Sequence, residues 1–132
     1  MTRERFKRLV EEALDEIPPR FRAEMKNVAV VVEDEPPQHI LDEMEIGPDD
    51  TLFGLYQGTP LPERRWDYGN ALPDRISIYQ FPIEDACADE DEVRDCVAET
   101  VIHEFGHYFG MSEAEIEEIE EKYWRGESLD NV

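Results

Sequence analysis

Apolar residues at Phe6, Leu9, Val10, Ala13, Leu14 and Ile17 recur at the spacing of one helix face, with Thr2 placed to cap the start and Pro18-Pro19 to end it. A short helical turn is predicted over Phe21 to Lys26. The run Val28 to Val32 is β-branched and reads as a buried strand, closed by Glu33-Asp34-Glu35-Pro36-Pro37. Ile40, Leu41 and Met44 share a face and predict a brief helix over 38–45, before Gly47-Pro48-Asp49-Asp50 turns the chain. Leu52 to Tyr56 reads as a second strand and Ile76 to Tyr79 as a third. Between them, residues 57–75 are rich in Gly, Pro, Arg and aromatics without a period, which predicts a long surface connection.

Phe81 and Pro82 leave the third strand, and the acidic stretch from Glu84 to Asp91 leads to a helix opened by an Asp89/Glu92 capping box. Val93, Val97, Val101, Ile102, Phe105 and Phe109 carry that helix to Gly110, a residue suited to the position just past a helix end. Ser112 with Glu115 forms a second capping box, and Ile116, Ile119 and Tyr123 mark the stripe of a last helix. The pattern predicts one domain over residues 1–126 and a frayed tail over 127–132.

Composition changes the picture in one respect, charge. The 132 residues carry 13 Lys+Arg against 34 Asp+Glu, a formal net charge of -21. The first 26 residues are nearly balanced, so the whole of the acidic excess lies beyond them. Such a surface repels phosphate backbones and anionic lipid heads, which argues against nucleic acid and membranes and leaves cations and basic or neutral peptides as partners. No apolar run approaches the ~20 residues that span a bilayer, and the basic start lacks a continuous apolar stretch, so a cytoplasmic location is expected. Cys87 and Cys96 stand nine residues apart, a spacing that fits neither CxxC nor a disulfide framework, and both are read as reduced thiols.

The segment His103-Glu104-Phe105-Gly106-His107 carries the chemistry. Its histidines are one helical turn apart, so both imidazoles project from one face and can hold a single ion, and Glu104 lies where it can take a proton from a metal-bound water. From the chain's own His and Glu frequencies this HExxH pattern arises about 0.01 times by chance, and it uses two of the three histidines. A catalytic zinc wants a third protein ligand. Gly110 lets the chain reverse, and Glu113, three residues later, sits where the third histidine of HExxHxxGxxH would sit. Glu115 and Glu117 are the competing ligands, although Glu115 fits the capping box and Glu117 lies a turn deeper. His39, alone beside Pro36-Pro37, reads as structural or solvent-exposed, and Met111 and Cys96 read as packing.

On these residues the chain resembles a family of small bacterial predicted zinc metallopeptidases with a minimal zincin-like fold. The likeness runs through the opening helix, Val30 to Pro37, Gly54-Leu55-Tyr56-Gln57-Gly58-Thr59-Pro60-Leu61, Leu72-Pro73-Asp74-Arg75-Ile76 and the HExxHxxG block that ends in an acidic residue. The resemblance implies an α+β fold, a small mixed β-sheet packed against an N-terminal helix, an HExxH helix and a C-terminal helix. It implies one zinc ion per chain held by His103, His107 and Glu113, with Glu104 as general base for hydrolysis of peptide bonds in a peptide or protein substrate. Members often carry Asp at the position of Glu113, so the carboxylate here stands on an arm one methylene longer. In zincin-like folds an edge strand pairs with extended substrate, and Leu52 to Tyr56 is the candidate. The oxyanion stabiliser is open among Tyr56, Arg64, Arg65 and Tyr68.

Two other readings compete. A related minimal fold in bacterial ribosome-associated endoribonucleases shares the H-x3-H-x2-G-x2-H skeleton, but those proteins usually lack a glutamate after the first histidine and present a basic surface, unlike this chain. A non-catalytic, metal-stabilised acidic interaction module is the second alternative.

Overall fold

The computed structural model describes residues 1–23, 25, 28–58 and 74–126. Most of the expected long connection, with Arg64, Arg65 and Tyr68, and the expected frayed tail over 127–132 lie outside the described residues.

Helix α1 spans Arg3–Asp15 and buries Phe6, Leu9, Val10 and Ala13, the expected stripe; the Thr2 side chain accepts from the Arg5 N–H as its cap. Burying each of the larger side chains contributes about 1.5–3 kcal/mol. Arg3 reaches from this helix to the Val32 carbonyl at 2.8 Å and pairs with Asp34, which ties the start of α1 to the end of the first strand. The next turn is displaced from its expected place: α2 runs over Pro19–Arg22, because Pro19 cannot donate a backbone hydrogen bond and is suited to the first turn.

Strands β1 (Val28–Glu33), β2 (Gly54–Gln57) and β3 (Asp74–Tyr79) form a mixed sheet in the order β1-β3-β2, with β1 parallel and β2 antiparallel to β3. The central strand is the buried one: Asp74 and Ile76 to Tyr79 are all inside. The expectation of a buried β1 is therefore corrected. Among the described residues it is an edge of the sheet, with a neighbour strand on one side only, and its valines are partly exposed. Helix α3 (Gln38–Glu43) buries Ile40 and leaves His39 exposed.

A helix the pattern did not predict, α4, spans Gln80–Ala86 directly after β3. Pro82 made this stretch read as a departure from structure, yet it occupies the third helical position, where an N–H has no intrahelical acceptor. The capping box expected next is half formed. Asp89 accepts from Glu92 N–H, but the Glu92 carboxylate takes the N–H of Ala88 instead of that of Asp89.

Helix α5 (Glu90–Tyr108) is the longest element, packed against α1, α4, β2, β3 and the last helix, α6 (Glu113–Trp124). This central place explains why Thr100, Glu104 and Gly106 are buried along with Val97, Val101 and Phe105. Cys87 and Cys96 are half-buried free thiols; burial pushes both up, Cys96 to about 12. No helix among the described residues is long and apolar enough to cross a membrane.

Candidate metal centre

The end of α5 and the start of α6 are joined by a tight reversal that the sequence encodes residue by residue. Gly110, at φ +72°, donates to the His107 carbonyl and Met111 to the Gly106 carbonyl, both at 3.0 Å, the paired bonds of a Schellman ending. Ser112 then opens α6 with the expected reciprocal capping box: its hydroxyl accepts from Glu115 N–H at 3.2 Å, and its own N–H donates to the Glu115 carboxylate at 3.1 Å. Glu115 is thereby spent on the cap, and Glu113 becomes the first residue of α6, facing back towards α5. Met111 is half-buried beside an apolar hollow with Phe21, Phe105 and Phe109, in keeping with its expected packing role.

The donor atoms of His103, Glu104 and His107 lie within 4.8 Å of one another. Glu113 spans the two imidazoles, one carboxylate oxygen 3.7 Å from His103 Nε2 and the other 3.5 Å from His107 Nε2. Donors of a tetrahedral zinc site at ~2.0–2.1 Å stand roughly 3.3 Å apart, so these separations are close to what one ion between the three groups requires. Two imidazole nitrogens with a carboxylate oxygen also form a donor set whose chemistry suits zinc.

Sequence reasoning missed Glu120. Its carboxylate lies 2.8 Å from His103 Nδ1 and is only 16% exposed. A carboxylate there accepts a hydrogen bond from Nδ1–H, which leaves Nε2 as the nitrogen turned towards Glu113 and fixes the ring. The signal was present in the last helix. Glu113, Ile116 and Glu120 fall at i−3, i and i+4, one face of α6, with the buried Ile116 between the two acids. Burial alone would lower the His103 pKa; the hydrogen bond to Glu120 and the charges of Glu104, Glu120 and Glu113 outweigh it and hold the imidazole above its ordinary value.

Glu104 meets the opposite side of the centre. It is 8% exposed, against β2, and accepts a hydrogen bond from the Tyr56 backbone N–H. The register accounts for this donor: Tyr79 N–H bonds the Phe53 carbonyl at 2.9 Å, so the alternation along β2 turns the backbone groups of Gly54 and Tyr56 away from β3. Burial pushes the Glu104 carboxyl above the ordinary carboxylate range, only partly offset by His107, His103 and the Tyr56 N–H. The approach of β2 to α5 depends on Gly54, where a Cβ would fall 2.6 Å from Thr100 Cγ2 and 3.2 Å from Glu104 Cγ. The expected strand from Leu52 is shorter, beginning at Gly54, and the Tyr56 hydroxyl is turned to the buried Asp74.

An open cleft reaches His103 and Glu104, lined by Phe53 and Gly54 at β2, by Glu120 of α6 and by Glu99 and Thr100 of α5. Burial, reinforced by Glu120, raises the carboxyl pKa of Glu99.

No curated protein matches the chain in sequence. A family model described as zincin-like metallopeptidase matches residues 25–123, which takes in the sheet, the HExxH helix and almost all of α6. With the fold and three-quarters of the sequence in agreement, the chain belongs to the zincin-like metallopeptidase family.

Proposed function

We propose that the protein hydrolyses peptide bonds, with one zinc ion held by His103, His107 and Glu113 and with Glu104 as the general base. The observation that carries this reading is the Glu113 carboxylate lying 3.7 and 3.5 Å from the two Nε2 atoms while Glu120 occupies the far nitrogen of His103. Zinc at these donors supplies a Lewis acid that polarises a carbonyl and brings the pKa of water to near ~7.

The chain's own groups do the rest. Glu104, buried and with its pKa raised, accepts the proton of the attacking water and returns it to the departing amine. Tyr56 N–H steadies that carboxylate while it is charged. The outward edge of β2 offers extended peptide the backbone groups of Gly54, beside the base, and so positions a scissile carbonyl over the cleft. A peptide or protein substrate, with no nucleic-acid or membrane partner, agrees with the acidic excess of the chain.

The test is zinc content per chain by mass spectrometry, after reconstitution and removal of loose metal, for the wild type and His103→Ala. The expected result is about one zinc per wild-type chain and none in the variant, followed by cleavage of a peptide library that Glu104→Gln does not cleave. Wild-type protein that retains no divalent metal would overturn the proposal.

A further inference from the structure

The two helices that build the centre pack closely where Ile116 of α6 meets Gly106 of α5, inside the motif. On α5, His103, Gly106 and His107 fall at i, i+3 and i+4, one face of the helix. On α6, the matching face is Glu113, Ile116 and Glu120. Ile116 is 1% exposed and lies over Gly106, where an added Cβ would stand 2.5 Å from its Cγ1 and 2.8 Å from its Cδ1. Real Cβ atoms essentially never come that close.

Cγ1 is attached directly to the stiff Cβ of a β-branched residue, so the side chain cannot swing clear of the new atom as the tip of a long chain would. The helix itself must move outward. Both acids ride on it, one turn to either side of the contact, and the 2.8 Å distance between Glu120 and His103 Nδ1 has little slack before the hydrogen bond is lost.

Resting on the zinc reading above, we infer that Gly106 is a positioning residue for the metal centre. Its missing side chain sets the spacing of α5 and α6 at which Glu113 spans both histidines and Glu120 orients one of them. Between the base and the second histidine of HExxH, this glycine acts through Ile116 and touches neither metal nor substrate.

Zinc affinity, measured by competition with a chromophoric chelator on chains checked for fold by circular dichroism, tests the inference in four proteins: wild type, Gly106→Ala, Ile116→Ala and the double variant. Gly106→Ala is expected to bind zinc about 10–100-fold more weakly, the loss typical of removing an orienting partner. Ile116→Ala removes both clashing atoms and leaves its own Cβ 3.5 Å from the new one, an ordinary contact. It should therefore strengthen zinc binding when added to Gly106→Ala, although it does not strengthen it in the wild type. A Gly106→Ala chain that fails to fold, rescued to a folded zinc binder by Ile116→Ala, supports the same contact. Wild-type affinity in Gly106→Ala, or a double variant no better than Gly106→Ala, overturns the inference and leaves the metal reading standing. If neither Gly106→Ala nor the double variant folds, the glycine serves the core and the inference falls. Wild-type protein that takes up no zinc removes the metal reading and this inference together.

Discussion

The two shoulders of α5 contribute opposite kinds of carboxylate to one centre. On the strand side Glu104 is buried, held by a backbone N–H of β2, and its pKa is raised by the loss of water around it. On the α6 side Glu113 is 72% exposed and stands between two imidazoles, with Glu120 behind one of them. A buried, backbone-held carboxylate with a raised pKa is suited to moving a proton. A carboxylate set between two imidazoles is suited to holding a cation with them, and one behind a ring is suited to aiming it. The five-residue stretch His103 to His107 therefore brings two functions together because the helix carrying it is flanked by two different neighbours.

Substitutions on the two shoulders should fail in different ways. The largest effect is expected on the strand side. Glu104→Gln should lower kcat/KM for peptide cleavage by about 10²–10⁴-fold while zinc content stays at the wild-type level. A variant that keeps full activity would take the base role away from Glu104. On the α6 side the loss should appear first in metal affinity. Glu120→Ala should weaken zinc binding by about 10–100-fold, and Glu113→Ala by more, because it removes a donor where Glu120→Ala releases a ring. Chelator competition that ranks the two in the reverse order would exchange their roles.

The α6 shoulder was largely legible in the sequence, since its devices are local. HExxH, Gly110, the Ser112/Glu115 box and Glu113 follow one another within thirteen residues, and each acts on neighbours a turn away. Glu120 escaped notice because its partner is seventeen residues back, and only the crossing of two helices at Gly106 and Ile116 brings them together. The strand shoulder was less legible. That a strand lies in this stretch was readable, although it starts at Gly54 and not at Leu52, but the N–H from Tyr56 to Glu104 depends on the register with β3, which no local pattern states. The same lack of long-range information made β1 read as buried, since a β-branched run looks alike at an edge and at a centre. Helix α4 was missed for a local reason, a proline taken as a breaker where it stands in a first turn.

Gly54→Ala sharpens the contrast between the shoulders. The new Cβ would collide with Thr100 and press on Glu104, so the strand must lift from α5. Such overpacking costs about 1–3 kcal/mol of stability in denaturant unfolding. Peptide cleavage should fall, because the Tyr56 N–H leaves the base, while zinc affinity stays within about twofold of wild type, because no donor to the ion stands on β2. A large loss of zinc affinity in this variant would mean that the two shoulders do not act separately.

The smallest effect is one of stability, and it has a definite sign. The folded chain holds Glu104 above its unfolded pKa, so the protonated carboxyl is the form the fold favours. That contribution is fully present below the ordinary glutamate value of about 4.3 and is lost as pH rises through the higher folded one. In metal-free protein at pH 8 the wild type therefore carries a buried charge that Glu104→Gln does not, and the variant should melt about 2–4 °C higher. The gap should shrink as the pH is lowered towards 4, where both side chains are neutral. Zinc should shrink it as well, since a dication nearby favours the carboxylate and so reverses the burial term. A variant that melts lower than the metal-free wild type at pH 8 would show that the Tyr56 N–H and the two histidines outweigh burial, and that Glu104 is held as a charged group before any metal arrives.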